Sequence, residues 1–269
     1  MVQFVWLIPL GAVVGAFGTL IGAGGGFVLM PILLLVYPQE KAEVLTFLSL
    51  VVVFFNAFSG SVAYARMGRI DYRAALLFSA AGIPGAILGA MSTAAIPRRA
   101  FDVLIGLLLV AAAVLLSFRA GSRWAAEAAG RLGPPQKPPA ATYRTPRKLT
   151  IGAGLSTGVG FVSSLLGIGG GIIHVPVLVE VLGFPIHVAT ATSHLILAIV
   201  ALAGVGTHIV AGTGSPGLVR MAALVIGVVV GAQGGAALSN RVAGSWIMRG
   251  LALALALVGL RVLLLAGGH

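Results

Sequence analysis

Two short glycine runs are the residues of this chain best suited to chemistry. Gly22-Ala23-Gly24-Gly25-Gly26 is followed by Pro31, and Gly167-Ile168-Gly169-Gly170-Gly171 is followed by Pro176 at the same spacing. Each run interrupts a long apolar stretch. Glycine weakens helix by about 1 kcal/mol per residue relative to alanine, and interior proline by about 3. Continuous straight helix is therefore not expected at either place. A half-helix starting just after each run would point free amide N–H groups, carrying roughly half a positive charge, into the protein, which suits an anion. Glycine also lets a ligand approach the main chain with no side chain between them. Gly24, Gly25, Gly26, Gly169, Gly170 and Gly171 are the candidate anion-binding residues. Isolated glycines such as Gly60, Gly85, Gly89, Gly227, Gly231 and Gly235 are expected to serve close helix packing instead.

Polar residues near the runs could complete such a site. Thr19, Ser163 and Ser164 precede them, and Ser49, Thr190, Thr192, Ser193 and His194 open the next apolar stretch in each half. Their hydroxyls can donate to an oxyanion, although serine and threonine also bond back to their own helix. Asn56 and Gln233 are amides inside apolar stretches, suited equally to holding a ligand or joining helices. Thr19, Ser163, Ser49, Thr192, Ser193 and Gln233 are taken as the substrate-binding set. His174, three residues after Gly171, is the candidate proton carrier, because a neutral imidazole can exchange a proton near neutral pH. A plain hydrogen-bonded role competes there, and more strongly at His194. Asp102 and Glu180 lie near the ends of apolar stretches, so a cation substrate is disfavoured. Scattered histidines and the absence of cysteine give no basis for a metal, and no cofactor is expected. Gly154-Leu155-Ser156-Thr157-Gly158 fits the G-x-S-x-G nucleophile pattern, but sits in an apolar helix pattern without a nearby acid, so no enzyme is expected.

The elements that must position these residues follow from composition. The 269 residues are 59% hydrophobic and only 9% charged, and the mean hydropathy is +1.09. Soluble domains carry about 25% charged residues. The solvent implied is a lipid bilayer, and the fold class is all-α, a polytopic membrane protein. Apolar stretches at 4–37, 44–64, 74–95, 101–118, 149–181, 188–211, 218–239 and 246–266 give about eight transmembrane segments. In hydrocarbon, open backbone survives only against protein or a water-lined cavity, so the glycine breaks are expected to face inward. The N-terminus has no Lys or Arg before a long apolar stretch and is expected to be a retained first helix. Residues 119–148 form a linker with Pro134, Pro135, Pro138, Pro139 and Pro146, and with seven basic residues against Glu127. The net charge of +11 lies between apolar stretches. It reports membrane orientation, with the linker on the cytoplasmic side, and not a nucleic-acid partner.

The linker separates two halves, 1–118 and 149–269, that repeat. Beyond the glycine runs, Ser49, Gly60, Gly68 and Gly106 match Ser193, Gly204, Gly212 and Gly250, and Gly85 and Gly89 match Gly227 and Gly231. Internal repeats around a midplane site are a common transporter plan. If the first and fifth segments cross the membrane, the repeats are parallel. If they are re-entrant hairpins, each half crosses three times and the repeats are inverted. The two schemes put eleven and twelve of the 17 basic residues on the linker side, so charge does not choose between them.

The motifs Gly22-Ala-Gly-Gly-Gly-Phe-Val-Leu-Met-Pro31 and Gly167-Ile-Gly-Gly-Gly-Ile-Ile-His-Val-Pro176 resemble those of the sulfite exporter TauE/SafE family, also called the toluene sulfonate uptake permease family. The resemblance extends through Ala191-Thr192-Ser193 and Gly231-Ala232-Gln233; the first half departs from it at Leu48-Ser49-Leu50, where a Thr-Ser pair is usual. It implies a multi-pass transporter of the cytoplasmic membrane for a small sulfur-containing anion such as sulfite or an organosulfonate, driven by a proton or sodium gradient. The residues alone reach a two-repeat transporter with an anion preference, working by alternating access; an anion channel of the same architecture and a transporter of non-sulfur organic anions are the alternatives.

Overall fold

The computed structural model describes residues 4–120, 145–215, 217–239 and 244–267. Ten helices run through them: α1 (Leu7–Ile21), α2 (Gly26–Val36), α3 (Ala42–Arg66), α4 (Tyr72–Thr93), α5 (Arg98–Ala120), α6 (Pro146–Leu166), α7 (Gly171–Pro176), α8 (Ile186–Val210), α9 (Leu218–Leu238) and α10 (Gly244–Gly267). Five of them, α3, α4, α6, α8 and α9, are long and apolar enough to cross a membrane. The chain is a multi-pass membrane protein. Most of the linker lies outside the described residues.

Local chemistry sets the helix ends. The Asp71 carboxylate accepts the Ala74 N–H at 3.0 Å and caps α4. Pro146 occupies the first turn of α6, where its missing N–H costs nothing. The first and fifth segments are broken at the glycine runs, as expected. Beyond Pro176, which cannot donate to the ladder, α7 continues as a π-helical turn over Val177–Val181, closed by Leu182 N–H on Val177 O.

The main helix pairs join one half of the chain to the other: α1 packs on α9, α6 on α4, α3 on α8, α5 on α10, α4 on α8 and α9 on α3. Exchanging α1–α5 for α6–α10 turns this set into itself. The closest pairs use glycine. A Cβ on Gly231 or Gly235 would run into the Ala12 or Ala16 carbonyl, and one on Gly85 or Gly89 into that of Thr157 or Phe161. Since Ala12 and Thr157 hold equivalent places before the glycine runs, the structural partners of Gly85 and Gly89 are Gly231 and Gly235. The match to Gly227 and Gly231 drawn from sequence is therefore one turn early, because the loop before α9 is longer than the α3–α4 turn.

Contacts at the helix ends settle how the broken segments run. Glu40, between α2 and α3, accepts from Arg220 at the start of α9 at 3.4 Å, and Arg220 lies 4.5 Å from the centre of the Tyr37 ring. Arg98, at the start of α5, donates to Glu40 O. At the opposite end, the Asp71 N–H donates to Thr192 Oγ1, in the first two turns of α8, at 3.1 Å. The turns before α3 and before α9 thus share one face, and the turns before α4 and before α8 share the other. Simple crossings of the first and fifth segments would separate the members of each pair. Only the hairpin scheme brings them together, and it makes the two halves inverted.

Because the chain has no cysteine, single-cysteine labelling reads this arrangement directly. In right-side-out vesicles, Pro38→Cys and Ser215→Cys are expected to react with one impermeant reagent population, and Gly68→Cys with the opposite one. Labelling of Pro38→Cys and Ser215→Cys from opposite sides would defeat the hairpin scheme.

Candidate functional site

The two glycine runs meet at the centre of the protein, buried on all sides. Their glycines answer two separate demands. Gly22, Gly24, Gly25, Gly167 and Gly169 have φ between +66° and +84°, the left-handed region that other residues seldom enter. Here the chain closes α1 with Ala23 N–H and Gly24 N–H on Gly18 O, and closes α6 with Ile168 N–H on Ser163 O. It then folds back over the preceding helix, so that a Cβ on Gly25 would lie 2.9 Å from Val14 O and one on Gly170 would press on Val159. Gly26 and Gly171 have ordinary helical backbone and are needed for contact: a Cβ on Gly26 would be 2.7 Å from the Ile168 carbonyl, and one on Gly171 2.6 Å from Ala23 Cα. One run touches the other, main chain against main chain.

Helices α3 and α8 clamp this junction. Val53 of α3 and Leu197 of α8 hold equivalent positions, and each lies against both Gly24 and Gly169. Hydroxyls cross between the halves in the same way. Ser49 Oγ donates to Gly167 O, and its counterpart Ser193 Oγ donates to Gly22 O at 3.3 Å. Both serines are therefore at the site, but they serve its carbonyls. Thr190 lies against Gly22 and Thr46 against Gly167.

The amide donors are treated differently in the two halves. In the second, the Gly170 N–H is taken by Ser163 Oγ at 2.8 Å. The residue equivalent to Ser163 in the first half is Gly18, which has no hydroxyl. Among the described residues, the N–H groups of Gly25, Gly26 and Phe27 in the first half and of Gly169, Gly171 and Ile172 in the second have no acceptor, so the halves differ at Gly25 against Gly170. Facing Gly18 and Gly25 instead is Asn56. Its Oδ1 accepts from Thr19 Oγ1 at 2.8 Å, while its Nδ2, fully buried, has no partner. Tyr64 Oη donates to Thr19 O at 2.8 Å, and the Tyr64 ring stands edge-on to His194, 5.4 Å between centres.

The other candidates lie further out. Thr192 Oγ1 accepts from Asp71 N–H at the end of α8. Gln233 Nε2 donates to Ser59 O and Ser59 Oγ, both at 2.8 Å, joining α9 to α3. His174 Nε2 lies 3.1 Å from Ser156 Oγ, tying α7 to α6. Ser156 sits within the continuous helix α6 and not on the strand-to-helix turn that a G-x-S-x-G nucleophile requires. Asn56 was legible only as an amide of undecided role. The signal that singles it out is the mismatch of Gly18 with Ser163, visible once the halves are aligned on their glycine runs.

Comparison with known proteins gives a consistent result. The family model for "Sulfite exporter TauE/SafE" matches residues 7–262. The "Probable membrane transporter protein YunE" of Bacillus subtilis is 29% identical over 268 residues, covering 97% of each chain. A "Probable membrane transporter protein" of Methanocaldococcus jannaschii is 26% identical over 78% of this chain and 76% of its own, and one of Xylella fastidiosa 29% identical over 70% and 67%. No solved structure matches.

Removing the Ser163 hydroxyl leaves the Gly170 N–H buried without an acceptor, a loss of about 1–3 kcal/mol. Ser163→Ala is therefore expected to unfold earlier in a denaturing-detergent titration, whereas Ser92→Ala, whose hydroxyl bonds Leu88 O at an exposed site, is expected to match the parent. Identical transitions for Ser163→Ala and the parent would remove the hydroxyl from the break.

Proposed function

The chain belongs to the sulfite exporter TauE/SafE family of membrane transporters, and on that premise we propose that it moves a small sulfur-containing anion, of the sulfite or organosulfonate class, by alternating access. The observation that carries this reading is the meeting of two glycine breaks, from opposite halves, at a buried centre where main-chain N–H groups lack acceptors. Donors without acceptors in a low-dielectric interior favour a ligand rich in acceptor oxygens, and the positive ends of the half-helices favour negative charge. Val53 and Leu197 cover the junction, and the breaks are closed to both faces. A closed centre suits a carrier that exposes its site to one side at a time better than an open pore. The family name supplies the sulfur; the geometry supports the anion.

Charge supplies the orientation. With hairpins at both breaks, Arg66, Arg69 and Arg73 before α4 and Arg147 and Lys148 at the start of α6 share one face. We place that face, and the linker, in the cytoplasm.

A thermal-stability screen of the purified protein against sulfite, sulfate, thiosulfate, alkyl sulfonates and carboxylates tests the reading. A ligand at about 100 times its Kd adds about 2.7 kcal/mol, enough to raise the melting midpoint by a few degrees. Sulfur oxyanions are expected to give that rise in the parent and not in Gly25→Leu, whose side chain would drive into Val14 and the Asn56 amide. Equal rises in both proteins would exclude the glycine breaks as the binding site, and ohmic single-channel current would replace the carrier with a pore.

A further inference from the structure

The repeat is broken where it matters for a ligand. Position for position, Asn56 of α3 corresponds to Val200 of α8, His194 of α8 to Leu50 of α3, and Ser163 of α6 to Gly18 of α1. At the second break the Gly170 N–H is satisfied by Ser163, Leu50 and Val200 stand where the first has His194 and Asn56, and the unpartnered side-chain atoms are the hydroxyls of Thr46 and Ser164. The first has an unsatisfied Gly25 N–H, an unpartnered Asn56 Nδ2 against the same glycine, and His194 close by. Main-chain donors are left over at both breaks, but the unpaired side-chain amide nitrogen and the unpaired imidazole nitrogen stand beside the first.

A buried anion also needs compensating charge, because an isolated ion in a low-dielectric interior is strongly disfavoured. His194 is placed to supply it. Its Nδ1 is 3.2 Å from Thr190 O, so the proton of the neutral ring sits on Nδ1 and Nε2 is a bare acceptor. Nε2 is buried, without a partner, and faces Gly60, where Thr19 Cγ2 is its neighbour. Thr19 in turn holds Asn56, so one residue separates the imidazole from the unpaired amide. The other ionisable groups around His194 are engaged. From α3, Tyr64 donates to Thr19 O; from the α3–α4 turn, Asp71 caps α4, and Arg69 has partners of its own; from α7, His174 meets Ser156.

Resting on the anion-carrier reading above, we propose that the anion is held between the Gly25 N–H and Asn56 Nδ2 at the first break, and that His194 Nε2 takes up a proton when the anion binds. The carrier then moves anion and proton together. His174, singled out by its place in the motif, has its Nε2 already engaged and is not the coupling residue.

Binding to the purified full-length protein by titration calorimetry tests this, with sulfate and methanesulfonate as probes because their charge is constant near neutrality. Parent affinity is expected to weaken by up to about tenfold per unit rise in pH, as one linked proton requires. Asn56→Asp and Asn56→Leu are expected to raise Kd at least about tenfold, the effect of a lost charge-assisted hydrogen bond, while Val200→Leu is expected to bind as the parent. Asn56→Gln, which retains the amide, should recover part of the affinity. His194→Leu is expected to bind more weakly at pH 6 and to show no pH slope. Melting transitions establish that each variant is folded. Parent-like affinity in Asn56→Asp would overturn the site at Asn56, and a parent-like pH slope in folded His194→Leu would overturn the coupling. A parent protein that binds neither probe, nor sulfite, would instead bring down the function proposed above.

Discussion

The structure depends on a single constraint: main-chain polar groups removed from water must find partners within the protein. Helix meets that demand everywhere except at the two glycine runs, and the organisation of the centre answers it there. Gly18 O accepts two N–H groups, Ser49 reaches Gly167 O, Ser193 reaches Gly22 O, and Ser163 takes the Gly170 N–H. What remains unsatisfied at the centre, among the described residues, is the N–H groups that open α2 and α7, that of Gly169, the Thr46 and Ser164 hydroxyls, the Asn56 amide nitrogen and His194 Nε2.

The same constraint accounts for the interlocking of the halves. A broken segment cannot be left against lipid, and its own half offers little to cover it. Each hairpin is therefore housed by helices from the other half: α1 by α9, α6 by α4, with α3 and α8 crossing at the middle. Ser49 and Ser193, which serve the carbonyls of the breaks, also come from the opposite half. Neither half would be expected to hold this arrangement alone, since removing one exposes the other's unwound backbone. Close approach at α1–α9 and α4–α6 requires glycine on one side of the contact, which is why Gly231, Gly235, Gly85 and Gly89 recur at helical spacing.

Much of this was legible in the sequence because the signals were physical exclusions. Three glycines in a row and a proline five residues on forbid continuous helix, and 9% charged residues forbid an aqueous surface. Hidden were the facts that depend on which helix faces which. Inverted and parallel schemes count nearly the same basic residues on the linker side, so only a contact such as Arg220 with Glu40 could choose. Gln233 and Thr192 carry the right chemistry at the right depth in the sequence, yet face Ser59 and Asp71. The roles within the glycine runs were also unreadable. Positive φ at Gly24 and close contact at Gly26 impose the same residue type for unrelated reasons.

Symmetry and asymmetry divide the work at the centre. The glycine runs, the paired serines and the Val53–Leu197 clamp are alike in both halves, as a framework with equivalent inward-facing and outward-facing forms would need. A ligand on the axis of such a framework can face only one best set of donors, and duplicated polar groups that it left unpaired would each carry a desolvation cost. Replacing Ser by Gly at position 18 frees a donor. Leucine and valine at positions 50 and 200 take the places of His194 and Asn56 on the other side, so no second imidazole or amide is buried there. The departures from the repeat fall on residues beside the breaks, and there they are compatible with a fold that the matching residues already hold in place.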